Sequence, residues 1–246
     1  MTTFVMVPGA WLGGWAWDAV AERLRADGHT AIPVTLTGLA ERAAEGGPDT
    51  DLNTHIADIV AVLDGQDLHD VVLVAHSYAG VPVTGAADRR PDRVARLVFV
   101  DSGPAPDGVA QADFNPPEVR DATEAAVAAE GDGIWMAPIA FDPVADPVNL
   151  AGLDEAALVM MRTRATPHPY RSTTQPISLS GAVDAIPRTL IACTMPPDLV
   201  SQMVAAGNPF FAGLRDAPVI PLPTGHWPMF SRPDDLAATL QRAAAG

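Results

Sequence analysis

Short aliphatic and β-branched runs bounded by turn residues recur along the chain: Phe4–Val7, Thr30–Leu36, Val71–Ala75, Leu97–Asp101, Leu190–Thr194 and Val219–Leu222. Continuous apolar runs of this length predict strands buried on both faces. Between most of them the apolar positions recur at helical spacing, which predicts helices over Trp15–Ala26, Thr54–Leu63, Val81–Asp88 and Asp234–Ala244. Ser231, three residues before Asp234 with Pro233 between, reads as the capped start of the last helix. Strand alternating with helix predicts an α/β fold with a mostly parallel, doubly wound sheet. From Pro104 to about Ala185 the rhythm breaks. That stretch is rich in Pro, Gly and Asp, has no clear strand, and carries scattered large apolar residues: Phe114, Trp135, Met136, Phe141, Met160 and Met161. It is expected to form a helical cap insertion over the C-terminal edge of the sheet. The 246 residues then make one domain, 1–246, with a core of about 1–103 and 186–246 and a cap of about 104–185.

Charge and composition narrow the chemistry. The formal net charge is −15, which argues against nucleic acid or an anionic membrane as partner, because phosphate binding needs clustered cations. The basic residues, 15 in all, are every one arginine; without lysine there is no Schiff-base, pyridoxal-phosphate or phosphate-loop chemistry. No apolar run reaches the roughly 18–20 residues of a membrane span. The N-terminal residues lack a basic segment and pass at once into a strand pattern, so no secretory signal is expected and the cytoplasm is the expected compartment. A single cysteine, Cys193, allows no internal disulfide. No histidine pair has metal-ligand spacing on a plausible scaffold, so neither metal nor other cofactor is expected. The expected partner is a small molecule; monomer and homodimer both remain open.

Candidate chemistry begins at Val71–His76, an apolar strand running into Ser77-Tyr78-Ala79-Gly80 and then a helix pattern. A serine on a sharp strand-to-helix turn projects its hydroxyl clear of the sheet, while the next N–H faces a developing oxyanion. Here Ala75 and Ala79 occupy the places of the two glycines usual in such an elbow. Ser77 has a structural alternative as a helix cap. A partner base is at hand in Pro223-Thr224-Gly225-His226-Trp227, between the last strand and the last helix. His29, His55 and His69 read as turn or helix-surface residues and His168 as part of the cap; His76 adjoins the serine but points the wrong way. For the acid, Asp101 ends the strand after the serine's helix, and Asp198 follows the next strand, where it would also serve as a helix N-cap. Asp101 is preferred, because a carboxylate buried there is costly unless it accepts the imidazole N–H.

Four motifs in order, Val7-Pro8-Gly9-Ala10-Trp11-Leu12-Gly13-Gly14-Trp15-Ala16-Trp17, Thr35-Leu36-Thr37-Gly38-Leu39-Ala40-Glu41-Arg42, Ala75-His76-Ser77-Tyr78-Ala79-Gly80 and Thr224-Gly225-His226, together resemble a bacterial branch of the α/β-hydrolases. That branch is related to pyrethroid-hydrolysing carboxylesterases, plant methyl-ester esterases and hydroxynitrile lyases. The resemblance implies an α/β-hydrolase fold, a Ser77–His226–Asp101 triad, and an oxyanion hole made by the backbone N–H groups of Ala10 and Tyr78. It implies hydrolysis of a small, largely apolar carboxylic ester through an acyl-enzyme; Trp11 and the apolar cap residues Trp135 and Met160 are expected to line the substrate pocket, although the cap residues could equally pack the cap onto the sheet, and Trp15 and Trp17 read as core. The chain departs from the family where Pro8 replaces a histidine and where Ala40, Ala75 and Ala79 replace glycines. Plant members carry an aspartate where this chain has Pro196, and bacterial relatives with proline in that stretch have the strand-end aspartate, a second reason for preferring Asp101. Two other readings stay open: a non-hydrolytic or lactone-processing enzyme of secondary metabolism (cyclase or lyase), and a low-turnover ligand receptor. The hydroxynitrile lyases of the family use a lysine that is absent here.

Overall fold

The computed structural model describes residues 1–208 and 211–245. Its strands are β1 (Thr3–Val7), β2 (Thr30–Pro33), β3 (Val71–His76), β4 (Val94–Val100), β5 (Trp135–Met136), β6 (His168–Pro169), β7 (Arg188–Ala192) and β8 (Val219–Pro221). The α-helices are α1 (Asp18–Ala26), α2 (Leu52–Gly65), α3 (Gly80–Arg89), α4 (Pro117–Glu130), α5 (Glu155–Arg164), α6 (Tyr170–Thr174), α7 (Pro197–Ala205), α8 (Pro228–Ser231) and α9 (Pro233–Ala245).

Among the described residues, six strands form one parallel sheet in the order β2-β1-β3-β4-β7-β8. Successive strand residues face opposite sides, so each inner strand feeds two cores. Val5, Val7, Leu73, Ala75 and Phe99 pack on the side of α2 and α3, against residues such as Ile56 and Val83. Phe4, Met6, Val72, Val74 and Val98 face α1 and α9, meeting Leu24 and Leu240. All six residues of β3 are buried, which is why the run is apolar without alternation.

Strand order reverses between β1 and β3, so their C-terminal ends diverge and leave a crevice there, the usual place for a ligand in a sheet of this kind. The loop after β1 and the turn after β3 are the two segments that border it.

Several elements differ from the sequence expectation. β2 stops at Pro33; Val34 N–H still donates to the Met6 carbonyl at 2.9 Å, and beyond it Thr35 Oγ1 accepts from Gly14 N–H at 2.7 Å. Trp15–Trp17 lie in a 3-10 turn (Gly14–Trp17) ahead of α1. The stretch between β4 and β7 carries α4, α5 and α6 together with a short antiparallel ribbon, Trp135–Met136 paired with His168–Pro169, too brief to leave a periodic signal. Ser231 does not cap the last helix. Its hydroxyl sits 2.7 Å from Thr224 Oγ1, and α9 starts on Pro233 with Asp234 and Asp235 in the first turn.

Candidate active site

Ser77 follows β3 at φ 52°, a left-handed backbone that non-glycine residues adopt only when the surroundings impose it. The turn is closed by small groups. Ala75 and Ala79 are fully buried, so a methyl is accommodated at each place where glycine was expected. Gly80 is the position that cannot carry one: a Cβ there would lie 2.3 Å from the Gly103 carbonyl. The 3-10 turn Ser77–Ala79 has His76 as N-cap with no side-chain cap bond, so the Ser77 hydroxyl is not spent as a cap.

Asp101 also has a left-handed backbone, φ 45°, immediately beyond β4. Its side chain is 4% exposed and fully engaged. Oδ1 accepts from the N–H groups of Cys193 (3.1 Å) and Thr194 (3.0 Å). Oδ2 accepts from Thr194 Oγ1 (2.8 Å) and from His226 Nδ1 (2.6 Å). Burial pushes this carboxyl up, but the His226 hydrogen bond and charge, with the Thr194 donors, outweigh it and hold the carboxyl below its ordinary value. With Nδ1–H committed to Asp101, Nε2 of His226 is left unprotonated in the neutral ring, the tautomer a general base needs. Asp198 is exposed in the first turn of α7, behind the N-cap Pro196, where it faces the helix dipole and is not itself the cap. The structure therefore brings Asp101, and not Asp198, to His226.

The His226 loop is gripped by the cap. His226 N–H donates to the Asn149 carbonyl at 2.6 Å and Gly225 N–H to the Ala151 carbonyl at 3.1 Å. Gly225 is squeezed so tightly that a Cβ would sit 2.3 Å from the Asn149 carbonyl. From the other side His76 Nε2–H donates to the His226 carbonyl at 2.7 Å, which ties His226 to the residue before Ser77.

Histidines expected to be bland are central to the site. His76, His55 and His168 are all fully buried. His55 does not lie on a helix surface: it accepts from the Tyr78 hydroxyl at 2.7 Å through Nδ1 and donates to the Thr37 carbonyl at 2.9 Å through Nε2. His168 packs edge-on against Tyr78, with ring centroids 4.5 Å apart. Burial lowers the pKa of all three, that of His76 to about 3 with help from the neighbouring His226 charge, so all are neutral rings whose tautomers their partners fix. The available signal was a polar residue closing an all-apolar strand at His76; nothing local marked His55 or His168.

A cavity of about 700 Å³ opens over the crevice, with Ala10, Trp11, Ser77 and Tyr78 at its floor. Its far wall is α4, which contributes Val119, Ala122, Ala126 and Val127, and its side is Trp135 and Met136. Trp11 and Trp135 thus line it. Met160 does not: it is half-buried against the apolar cluster that includes Met161 and Leu158, beside the buried face of α5 formed by Ala157, Leu158 and Met161. Trp15 and Trp17 are buried core residues. Among the described residues no group of three or more His, Cys, Asp or Glu side chains is placed to hold a metal, and no helix is long and apolar enough to cross a membrane.

A strained serine after a buried strand, a histidine–carboxylate pair beside it and a doubly wound parallel sheet together define a class. The chain belongs to the alpha/beta hydrolase family, whose sequence profile matches residues 4–239. Among relatives, it is 28% identical to methylesterase 7 of Arabidopsis thaliana over 98% of this chain and 95% of that protein. It is 42% identical to a carbendazim hydrolyzing esterase of a Nocardioides species, over 42% of each chain. In fold it is similar to an extracellular alpha/beta-hydrolase from a Paenibacillus species (TM-score 0.81, 22% identity, 99% of both chains). It is also similar to a pyrethroid hydrolase from Sphingobium faniae (TM-score 0.75, 22% identity, 100% of this chain and 98% of that one).

Proposed function

We propose that this protein is a serine carboxylesterase that cleaves small, largely apolar esters through an acyl-enzyme. The carrying observation is the left-handed Ser77 at the floor of the cavity, beside a His226 whose Nδ1–H is bound 2.6 Å from Asp101. In this reading Nε2 of His226 takes the Ser77 proton, the oxygen attacks the ester carbonyl, and the tetrahedral oxyanion is met by the N–H groups of Ala10 and Tyr78. Donors so placed are each worth roughly 3 kcal/mol of barrier. His226 then protonates the leaving alcohol, and water repeats the sequence on the acyl-enzyme. Asp101 holds the tautomer and stabilises the imidazolium. The carbendazim hydrolyzing esterase and the plant methylesterase support ester hydrolysis as the reaction.

The cavity borders Ala10 and Tyr78 and carries apolar residues of α4 on its wall, which supports an apolar acyl group there. The cytoplasm is the proposed setting. The test is serine-dependent turnover of p-nitrophenyl acetate and butyrate and of methyl, ethyl and benzyl esters of one aryl acid. Ser77→Ala is expected to abolish it; activity that survives Ser77→Ala refutes the reading.

A further inference from the structure

The loop after β1 presents three successive backbone N–H groups to the crevice, and two of them are already taken. Gly9 N–H donates to Nδ1 of His76 at 3.2 Å, and Trp11 N–H donates to Nδ1 of His168 at 3.4 Å. Between them Ala10 N–H has no protein acceptor among the described residues, and Ala10 lines the cavity. The two histidines arrive from opposite sides, one from the end of β3 and one from the cap ribbon. Each is fixed as an acceptor at Nδ1, because its Nε2–H is committed elsewhere: His76 to the His226 carbonyl at 2.7 Å, His168 to Ser172 Oγ at 2.9 Å. Ser172 Oγ in turn donates to the Pro169 carbonyl at 2.7 Å, so it can only accept from His168.

Trp11 itself needs holding. Its φ of 66° is unfavourable for a bulky residue, and its carbonyl accepts from Thr166 N–H at 3.0 Å. The cap segment Thr166–His168 therefore grips both backbone groups of the residue after Ala10. The Ala10 N–H lies in the peptide plane joining the two clamped ones, so holding both neighbours restrains its direction. Gly9 is the one residue that fits beside the first clamp, since a Cβ there would meet His76 Nδ1 and Ser77 Cβ at 2.9 Å.

We propose that His76 and His168 are the positioning residues of the oxyanion hole: they clamp the two N–H groups flanking Ala10 and leave the Ala10 N–H between them without a protein acceptor among the described residues. Because His168 belongs to the cap, the hole is complete only while the cap is seated. The proposal rests on Ser77 acting as the nucleophile.

The test compares His168→Asn, whose carboxamide oxygen replaces Nδ1, with His168→Gln, whose carboxamide lies near Nε2 and leaves Trp11 N–H unmet. His168→Leu, of similar volume and no acceptor, is a third variant; Gln keeps the experiment decisive if Leu does not fold. The readouts are kcat and KM on p-nitrophenyl acetate and the inhibition constants of a trifluoromethyl ketone and its methyl ketone analogue. The former adds Ser77 Oγ to give an oxyanion, with the serine proton passing to His226; the latter stays a neutral ketone. His168→Gln is expected to lower kcat by about 10- to 100-fold, less than the ~10²–10³-fold cost of deleting a donor. KM should stay within about twofold, and the trifluoromethyl ketone alone should weaken by the same factor as kcat, with Asn close to the parent. Parent-like kcat in Gln, or both ketones weakened equally, overturns the proposal. A parent enzyme that does not need Ser77 overturns instead the esterase reading on which it rests.

Discussion

Three neutral histidines sealed inside one small domain predict that this protein loses stability in mild acid. His55, His76 and His168 are fully buried and each uses a ring nitrogen as an acceptor, so none can take a proton in place without losing a hydrogen bond. In the unfolded chain each regains the ordinary value of 6.5. The folded pKa is depressed, so the stabilisation is complete above pH 6.5 and is lost as pH falls, because the unfolded state binds the extra protons. His76, held at about 3, removes about 1.4 kcal/mol per pH unit below that point. It alone subtracts about 2 kcal/mol between pH 7.5 and pH 5, and His168 and His55, shifted in the same direction, add to it. Against a typical total of about 5–15 kcal/mol this is a large share. Urea unfolding at half-unit steps from pH 8 to 4.5 measures the slope directly, and His55→Gln, which keeps a neutral polar group, should reduce it. A stability that stays flat from pH 7 to pH 5 refutes the reasoning, because it requires the buried rings to be protonated at no cost.

Other outcomes follow from the same geometry. Asp101→Asn is expected to lower kcat by about 10³–10⁴-fold, since an amide turned toward Nδ1 enforces the wrong tautomer, while Asp198→Asn leaves kcat unchanged; steady-state kinetics decide between them. Gly225→Ala should cost about 1–3 kcal/mol in a thermal or urea melt and reduce kcat with it, because a Cβ 2.3 Å from the Asn149 carbonyl forces the His226 loop to move. Ala126→Phe on the cavity wall should raise KM for bulky acyl esters by about tenfold and spare the acetate, which a substrate series would show.

The α/β alternation was readable because the inner strands are buried on both faces and leave unbroken apolar runs such as Val71–Ala75. Ser77 and His226 were readable because an elbow and a late histidine depend on local spacing and chain order. The preference for Asp101 over Asp198 began from the cost of a buried carboxylate, but the contact itself is long-range. It depends on β4 and β7 being neighbours, which lets the Cys193 and Thr194 N–H groups reach Asp101. The β5–β6 ribbon escaped notice because two residues per strand carry no period.

By itself, then, the sequence determined the layer architecture and marked Ser77 and His226 as the candidate serine and base, features written in hydrophobic period and residue order. Only the tertiary structure decided which carboxylate faces His226, that Met160 does not line the cavity, and that three unremarkable histidines lie at the core of the site. Those outcomes turn on hydrogen bonds between residues as far apart in sequence as 157 positions, as in Trp11 to His168, where no local pattern carries the information.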